Sequence, residues 1–253
     1  MGKTTKVRLD KVLVERGLAG SRERAQALIL AGKVLVEGQK VEKAGTGVEV
    51  DCEIRLLGED LKYVSRGGLK LEAALEHWQI DVAGKVCLDV GASTGGFTDC
   101  LLQRGALRVM AVDTGQGQIH FGLRQDSRVR LLEKTNARYL THEQLGEFAD
   151  FIAMDVSFIS ATLVLPAVLK AAFPESSSER GGRQIVVLVK PQFEVGREQV
   201  GAGGIVREEA AQMAAVEKVR RALVAEGCTR TEVIDSPILG VEGNREFLLQ
   251  GTF

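Results

Sequence analysis

The sequence predicts an α/β protein, in which a mainly parallel sheet covered by helices on both faces follows a small N-terminal α+β module. Three observations carry that expectation. From Val86 onward, strand-length apolar runs alternate with helical segments. Before residue 50 the apolar spacing is that of two short helices followed by brief strands around glycine turns. Charge also divides along the chain: residues 1–48 hold ten bases against five acids, a net +5, which leaves −6 for the remainder of a 253-residue chain whose total is −1. A near-neutral total argues against a uniformly basic nucleic-acid binder, but it conceals one basic end.

At 45% hydrophobic and 26% charged residues, disorder, collagen and coiled coil are excluded. No run approaches the roughly 18 apolar residues of a spanning helix; Ile185–Val189 and Thr162–Phe173 have the lengths of a strand and a core helix. The opening Met-Gly-Lys-Thr-Thr-Lys lacks the apolar core of a secretory signal, so a cytoplasmic location is expected. Cys52, Cys87, Cys100 and Cys228 form no C-x-x-C pair, and His77, His120 and His142 show no ligand spacing. Incidental thiols and no metal are expected.

In chain order, Leu9, Val12 and Leu13 predict a first short helix. A second starts at the N-cap residue Ser21, turns Ala25, Leu28 and Ile29 inward, and stops at Gly32. Val34, Val36 and Val41 read as two strands about a Glu37-Gly38 turn, with Val48 and Val50 in another. Arg8 and Lys11 become neighbours on the first helix, and Arg22 and Arg24 crowd the start of the second, where a backbone phosphate could dock. The run from Arg8 to about Asp51, through Arg-Leu-Asp at 8–10, Gly17-Leu18, Ser21-Arg22, Gly32 and Val-Leu-Val-Glu-Gly at 34–38, resembles the S4 RNA-binding domain. That resemblance implies RNA contacts, expected at Arg8, Lys11, Arg22, Arg24, Lys33 and, beyond the module, Arg66. The plainer reading of the same charges is a solvated basic face. The expected division is residues 1–59, a polar linker at 60–67, and a second domain at 68–253.

The second domain opens with a helix carrying Leu71, Ala74, Leu75 and Trp78 on one face. Strands are predicted at Val86–Val90, Val109–Asp113, Val129–Leu132, Phe151–Asp155, Ile185–Val189, Thr231–Ile234 and Glu246–Gln250. Helices are expected around Phe97–Arg104, Ile159–Phe173 and Glu208–Glu226, and Glu175–Gly182 as a flexible connection. Val86–Val90 runs into Gly91-Ala92-Ser93-Thr94-Gly95-Gly96 and then a helix. Positions without side chains let a ligand approach the backbone, and the helix start offers unpaired N–H groups. Asp113 closes the next strand 22 residues after Gly91, where a carboxylate can accept hydrogen bonds from ribose hydroxyls. This is the pattern of a nucleoside-cofactor site. Ser93 replaces the middle glycine that a dinucleotide pyrophosphate needs, which opposes NAD and favours S-adenosylmethionine, whose methionine end needs polar groups such as Asp89, Ser93 and Thr94. The expected cofactor set is Asp89, Gly91, Ala92, Ser93, Thr94, Gly95, Gly96, Asp113, Asn136 and Asp155. The last two strands, joined without a helix, predict an antiparallel pair closing the sheet, which resembles the Rossmann-like class I methyltransferases.

Four further residues fall where ligands bind in this architecture or beside it: Lys70 in the first helix, Asp155 and Lys190 after the fourth and fifth strands, and Glu246 at the start of the last. Singly, each lysine reads as well as a surface charge. Together with Ser-Arg-Gly-Gly at 65–68, Asp-Val-Gly-Ala-Ser-Thr-Gly-Gly-Phe-Thr at 89–98, Asp-Val-Ser-Phe-Ile-Ser at 155–160 and Val-Lys-Pro-Gln-Phe-Glu at 189–194, they give a sequence that resembles the TlyA family, also called hemolysin A, over essentially its whole length. It is similar more distantly to the FtsJ or RrmJ ribose methyltransferases. The resemblance implies a catalytic tetrad, Lys70, Asp155, Lys190 and Glu246, acting on a cytidine 2′-hydroxyl of ribosomal RNA, with ribosomal RNA or subunits as partner. One departure is the linker: the family's Arg-x-Trp-Val segment is replaced by Leu61-Lys62-Tyr63-Val64. Lys190 is the expected base, its proton affinity lowered by desolvation and by Lys70, with Asp155 orienting it and Glu246 holding Lys70 or the ribose. The competing readings are a membrane-active cytolysin and an RNA-binding assembly factor with a decayed catalytic domain.

Overall fold

The computed structural model describes residues 6–57, 62–174 and 176–253. The chain divides into two compact units, residues 1–60 and 61–253. Lys3, Glu175 and the stretch 58–61, where the expected linker opens, lie outside the described residues.

The first unit runs β1 (Lys6–Arg8), α1 (Leu9–Glu15), α2 (Arg22–Leu30), β2 (Val34–Val36), β3 (Gln39–Lys40), β4 (Gly47–Glu49) and β5 (Ile54–Leu56). Leu9, Leu13, Ala25, Ile29 and Val34 are fully buried in its core, which is why the two helices need their apolar stripes. Ser21 caps α2, its Oγ accepting the Arg24 N–H at 3.2 Å. Glu37 and Gly38 adopt φ of 50° and 74°, and β2 doubles back onto β3 through them. Apolar spacing does not reveal β1 or β5. β1 pairs antiparallel with β4, placing Val7 opposite Val48, and β5 pairs with β2. Val50, expected to share a strand with Val48, lies outside β4 and is exposed.

The second unit runs α3 (Gly67–His77), β6 (Val86–Val90), α4 (Gly96–Gln103), β7 (Arg108–Val112), α5 (Phe121–Gln125), β8 (Val129–Leu132), α6 (His142–Leu145), β9 (Phe151–Met154), α7 (Leu165–Ala172), α8 (Ser177–Arg180), β10 (Gln184–Val189), α9 (Pro191–Glu194), α10 (Glu209–Ala225), β11 (Arg230–Asp235) and β12 (Phe247–Thr252). Among the described residues its sheet has seven strands, in the order β11-β12-β10-β9-β6-β7-β8. The five from β10 to β8 are parallel neighbours. β12 is antiparallel to both β10 and β11, as the helix-free connection before it predicts. Alternate strand residues serve opposite cores: Leu88, Met110 and Ile152 pack with α7 and α10, while Cys87, Val109 and Phe151 pack with α3 and α4. Strand order reverses between β6 and β9, and that switch point opens a crevice at the carboxyl ends of the strands.

Two expectations are corrected. Ile159–Phe173 is not one helix but a 3₁₀ turn, Ala161–Leu163, followed by α7. Ser160 Oγ accepts the Thr162 N–H at 3.3 Å and starts the turn, while Pro166, lacking an N–H, sits in the first turn of α7. The connection at 175–182 contains α8.

Candidate active site

The glycine turn works through close approach of backbones. Gly91 has φ of 87°, and a Cβ there would lie 2.2 Å from the Asp155 carbonyl oxygen, so only glycine lets the loop after β6 run against the loop after β9. A Cβ on Gly96 would lie 2.2 Å from Ser65 Oγ and 2.9 Å from the Gly68 nitrogen, so a second glycine seats the start of α3 against the start of α4. A cavity of about 330 Å³ lies on one side of Gly91, lined by Ser93, Asp113, Gln118, Thr135, Asn136 and Ile159 among others. A second, of about 250 Å³, lies on the other side, and Gly91, Ser93 and Asp155 line both. Its wall includes Ala92, Thr94, Gly96 and Arg66.

Asp113 is already engaged by the turn: Oδ2 accepts the Ser93 N–H at 2.8 Å and Oδ1 the Gly115 N–H at 2.6 Å. It therefore sets the shape of the first cavity, while the remaining lone pairs of both oxygens stay available to a ligand hydroxyl. Asn136 lines the same cavity and its Oδ1 accepts the Arg138 N–H at 3.0 Å. Asp89 and Gly95, both in the expected cofactor set, are not among the residues that line either cavity. Asp89 is fully buried: its Oδ2 accepts the Thr98 hydroxyl at 2.6 Å, its Oδ1 has no partner, and burial pushes its carboxyl up to about 7. Gly95, at φ of 97°, caps α4 and packs against Leu123 and Ile119.

Lys70, Asp155, Lys190 and Glu246 come from four separate elements and all line the second cavity. Lys190 Nζ stands 2.5 Å from Asp155 Oδ1 and donates to Ser157 Oγ at 2.7 Å. Lys70 Nζ donates to Glu246 Oε2 at 2.5 Å. All four are largely withdrawn from solvent, Glu246 most of all at 3% side-chain exposure. Gly240 makes room for Glu246, since a Cβ there would lie 2.5 Å from Glu246 Oε1. Lys70 is held by the packing of α3: the buried Tyr63 ring fills the space over Gly68, its hydroxyl donates to Glu72 at 2.9 Å, and the Val64 N–H reaches Asp99 Oδ2 at 2.8 Å. Tyr63 and Val64 thus anchor the segment that departs from the family pattern.

Sequence reasoning missed Ser157 and Phe158. A third cavity, of about 430 Å³, opens beyond Lys190 and Glu246 and is lined by Ser157, Phe158, Gln192, Phe193 and Val241. Phe158 is 92% exposed at φ of 63°, its ring 5.3 Å from that of Phe193. Neither its exposure nor its left-handed backbone is legible in the sequence, where Phe158 reads as one more apolar residue after the strand.

Within the first unit, Arg8 and Arg22 serve the fold as well as the surface. Arg8 donates to Asp10 through Nε at 3.0 Å and Nη2 at 2.8 Å, Arg22 Nε donates at 3.1 Å, and Gln26 Nε2 at 3.0 Å. Asp10 is fully buried, and the Arg8 guanidinium holds its carboxyl far below the usual range. Lys11 pairs with Glu15 at 3.5 Å on the exposed face of α1, Arg24 lies in the first turn of α2, and Lys33 follows that helix.

Comparisons with known proteins identify both units. The model of the FtsJ-like methyltransferases matches residues 63–253 and that of the S4 domain residues 7–54. The chain is 45% identical to the 16S/23S rRNA (cytidine-2'-O)-methyltransferase TlyA of Mycobacterium tuberculosis, over 96% of this chain and 89% of that one. It is 39% identical to Hemolysin A of Brachyspira hyodysenteriae, over 96% and 98%. A solved structure described as "Putative hemolysin from Streptococcus thermophilus" superposes with a TM-score of 0.73 at 43% identity, covering 98% of this chain and 89% of that one. The chain belongs to the FtsJ-like methyltransferase family, in the group that carries an S4 domain ahead of the catalytic sheet.

Proposed function

We propose that the protein is an S-adenosylmethionine-dependent ribosomal RNA methyltransferase that modifies the 2′-hydroxyl of a cytidine ribose in 16S or 23S RNA. The observation that carries the reading is the meeting of Lys70, Asp155, Lys190 and Glu246 on a wall shared with the glycine-turn cavity. Identity to the TlyA relatives supports the ribosomal substrate and the cytidine.

The residues fit the cofactor. Asp113 and Asn136 offer polar groups for an adenosine moiety in the first cavity, and Ser93, Thr94 and Arg66 line the second, where the methionine end would lie. When bound, S-adenosylmethionine supplies an electrophilic sulfonium methyl. A ribose hydroxyl entering from the open side would be the acceptor of that methyl, and Lys190, as the free amine, would take the hydroxyl proton. Asp155 and Ser157 orient the Lys190 amine; Lys70, fixed by Glu246, faces the oxygen as charge develops on it. The S4 unit, through the cations clustered in residues 1–48, would bring RNA to the enzyme, and a ribosomal substrate puts its work in the cytoplasm. Among the described residues no helix is long and apolar enough to cross a membrane.

The test is labelled methyl transfer to unmodified 30S and 50S particles, with mapping of the modified nucleotide. Lys190→Ala should lower transfer by at least about 100-fold, with cofactor affinity measured by calorimetry nearly unchanged. Near-normal turnover would remove Lys190 from the mechanism; cofactor binding without transfer to either particle would remove the substrate.

A further inference from the structure

Asp155 and Lys190 stand at the heads of two loops, residues 155–161 after β9 and 190–195 after β10, and strand pairing alone does not fix how such loops lie against each other. One buried carboxylate joins them. Glu194 closes α9 with 2% of its side chain exposed. Its Oε1 accepts the Ala161 N–H at 2.6 Å and its Oε2 the Ser160 hydroxyl at 2.5 Å. Lys218 of α10 completes the junction, its Nζ 3.3 Å from Oε2 and donating to the Glu194 carbonyl at 2.7 Å. Both acceptor oxygens are thus directed at the far end of the loop that begins with Asp155.

Burying a carboxylate is costly, and apolar side chains of similar volume would serve stability as well. What charge-assisted hydrogen bonds add is fixed length and direction. We propose that Glu194 is a positioning residue for methyl transfer: by clamping loop 155–161 to loop 190–195 it holds the Lys190 amine and Asp155 at the separation the reaction needs. This rests on the methyltransferase reading above. Glu194 lines none of the three cavities at the site and acts only through Ser160, Ala161 and the backbone that carries Lys190.

The experiment measures kcat and KM for RNA, cofactor affinity by calorimetry, and thermal melting for Glu194→Ala, Glu194→Gln, Ser160→Ala and the Glu194→Ala/Ser160→Ala double variant. Misplacement by about 1 Å costs up to about 100-fold in rate, so Glu194→Ala should lower kcat about 10- to 100-fold while cofactor affinity stays within about threefold. Ser160→Ala, which keeps the Ala161 and Lys218 contacts, should lower kcat about threefold. The double variant should be no slower than Glu194→Ala alone, because both changes cut one link. Glu194→Gln can still accept from Ala161 and can donate to the Ser160 hydroxyl, and should recover most of the rate. The clamp is overturned if Glu194→Ala keeps kcat within twofold of wild type, or if lost rate in every variant matches an equal loss of cofactor-binding protein. Should Glu194→Ala lack a cooperative melt, Ser160→Ala decides, and wild-type kcat there overturns it. A wild-type enzyme that transfers no methyl sinks the function itself, whereas an active wild type with an indifferent clamp sinks this inference alone.

Discussion

Asp89 sits near the end of β6, just before the glycine turn, and is fully buried. Its carboxyl, pushed up to about 7 mainly by desolvation, stays protonated in the folded chain at pH values where the unfolded chain has released its proton. The sign follows by linkage. Below about pH 4 both states hold the proton; as pH rises toward 7 the unfolded state loses it first, so this group makes the fold progressively less stable through that window and leaves it so above. At about 1.4 kcal/mol per pKa unit, the effect is on the order of 4 kcal/mol. Asp89→Asn keeps an acceptor for the Thr98 hydroxyl and removes the titration. The wild type should therefore lose more melting temperature between pH 5 and pH 8 than Asp89→Asn does, measured without ligand; parallel curves for the two proteins would refute it.

Elements that depend on neighbours in the chain were legible, and those that depend on distant partners were not. Val86–Val90 appears where an apolar run and the following glycines require it, and α10 matches its predicted span to within one residue at each end. β1 escapes because Lys6–Arg8 becomes a strand only by pairing with Gly47–Glu49, about 40 residues on. The tetrad came through family resemblance, since nothing local to Lys70 announces Glu246; Ser157 and the Glu194 clamp are visible only in three dimensions. Gly96 illustrates the contest between the two kinds of information. As a helix residue, alanine in its place should stabilise by about 0.5–1 kcal/mol. Yet the added Cβ would meet Ser65 Oγ and the backbone of Gly68, and forcing α3 from α4 should cost about 1–3 kcal/mol. The contact should win. Gly96→Ala is expected to unfold at lower denaturant and, because α3 carries Lys70, to lose methyl transfer more than its stability alone explains; a variant more stable than wild type would show that helix propensity governs here.

At the scale of the whole molecule, the division of charge decides how RNA is recruited. Residues 1–48 carry +5, whereas the whole first unit, residues 1–60, carries +1 and residues 61–253 carry −2, so neither unit has a large net charge and attraction of a polyanion falls to the cations clustered in residues 1–48. Two arginines of that unit also serve its fold. Arg8 and Arg22 neutralise the buried Asp10, so replacing either by alanine should lower the melting temperature along with any effect on RNA. Arg24 lies in the first turn of α2 and Lys33 follows that helix. Each phosphate contact contributes roughly 0.7–0.9 to the slope of log affinity against log salt. An Arg24→Ala/Lys33→Ala variant should therefore bind ribosomal RNA more weakly, with the slope reduced by about 1.5, while cofactor affinity stays near wild type. Filter binding across a salt series reads the slope directly. An unchanged slope in this variant would mean that these two cations make no phosphate contact and that recruitment by the S4 unit runs through other residues.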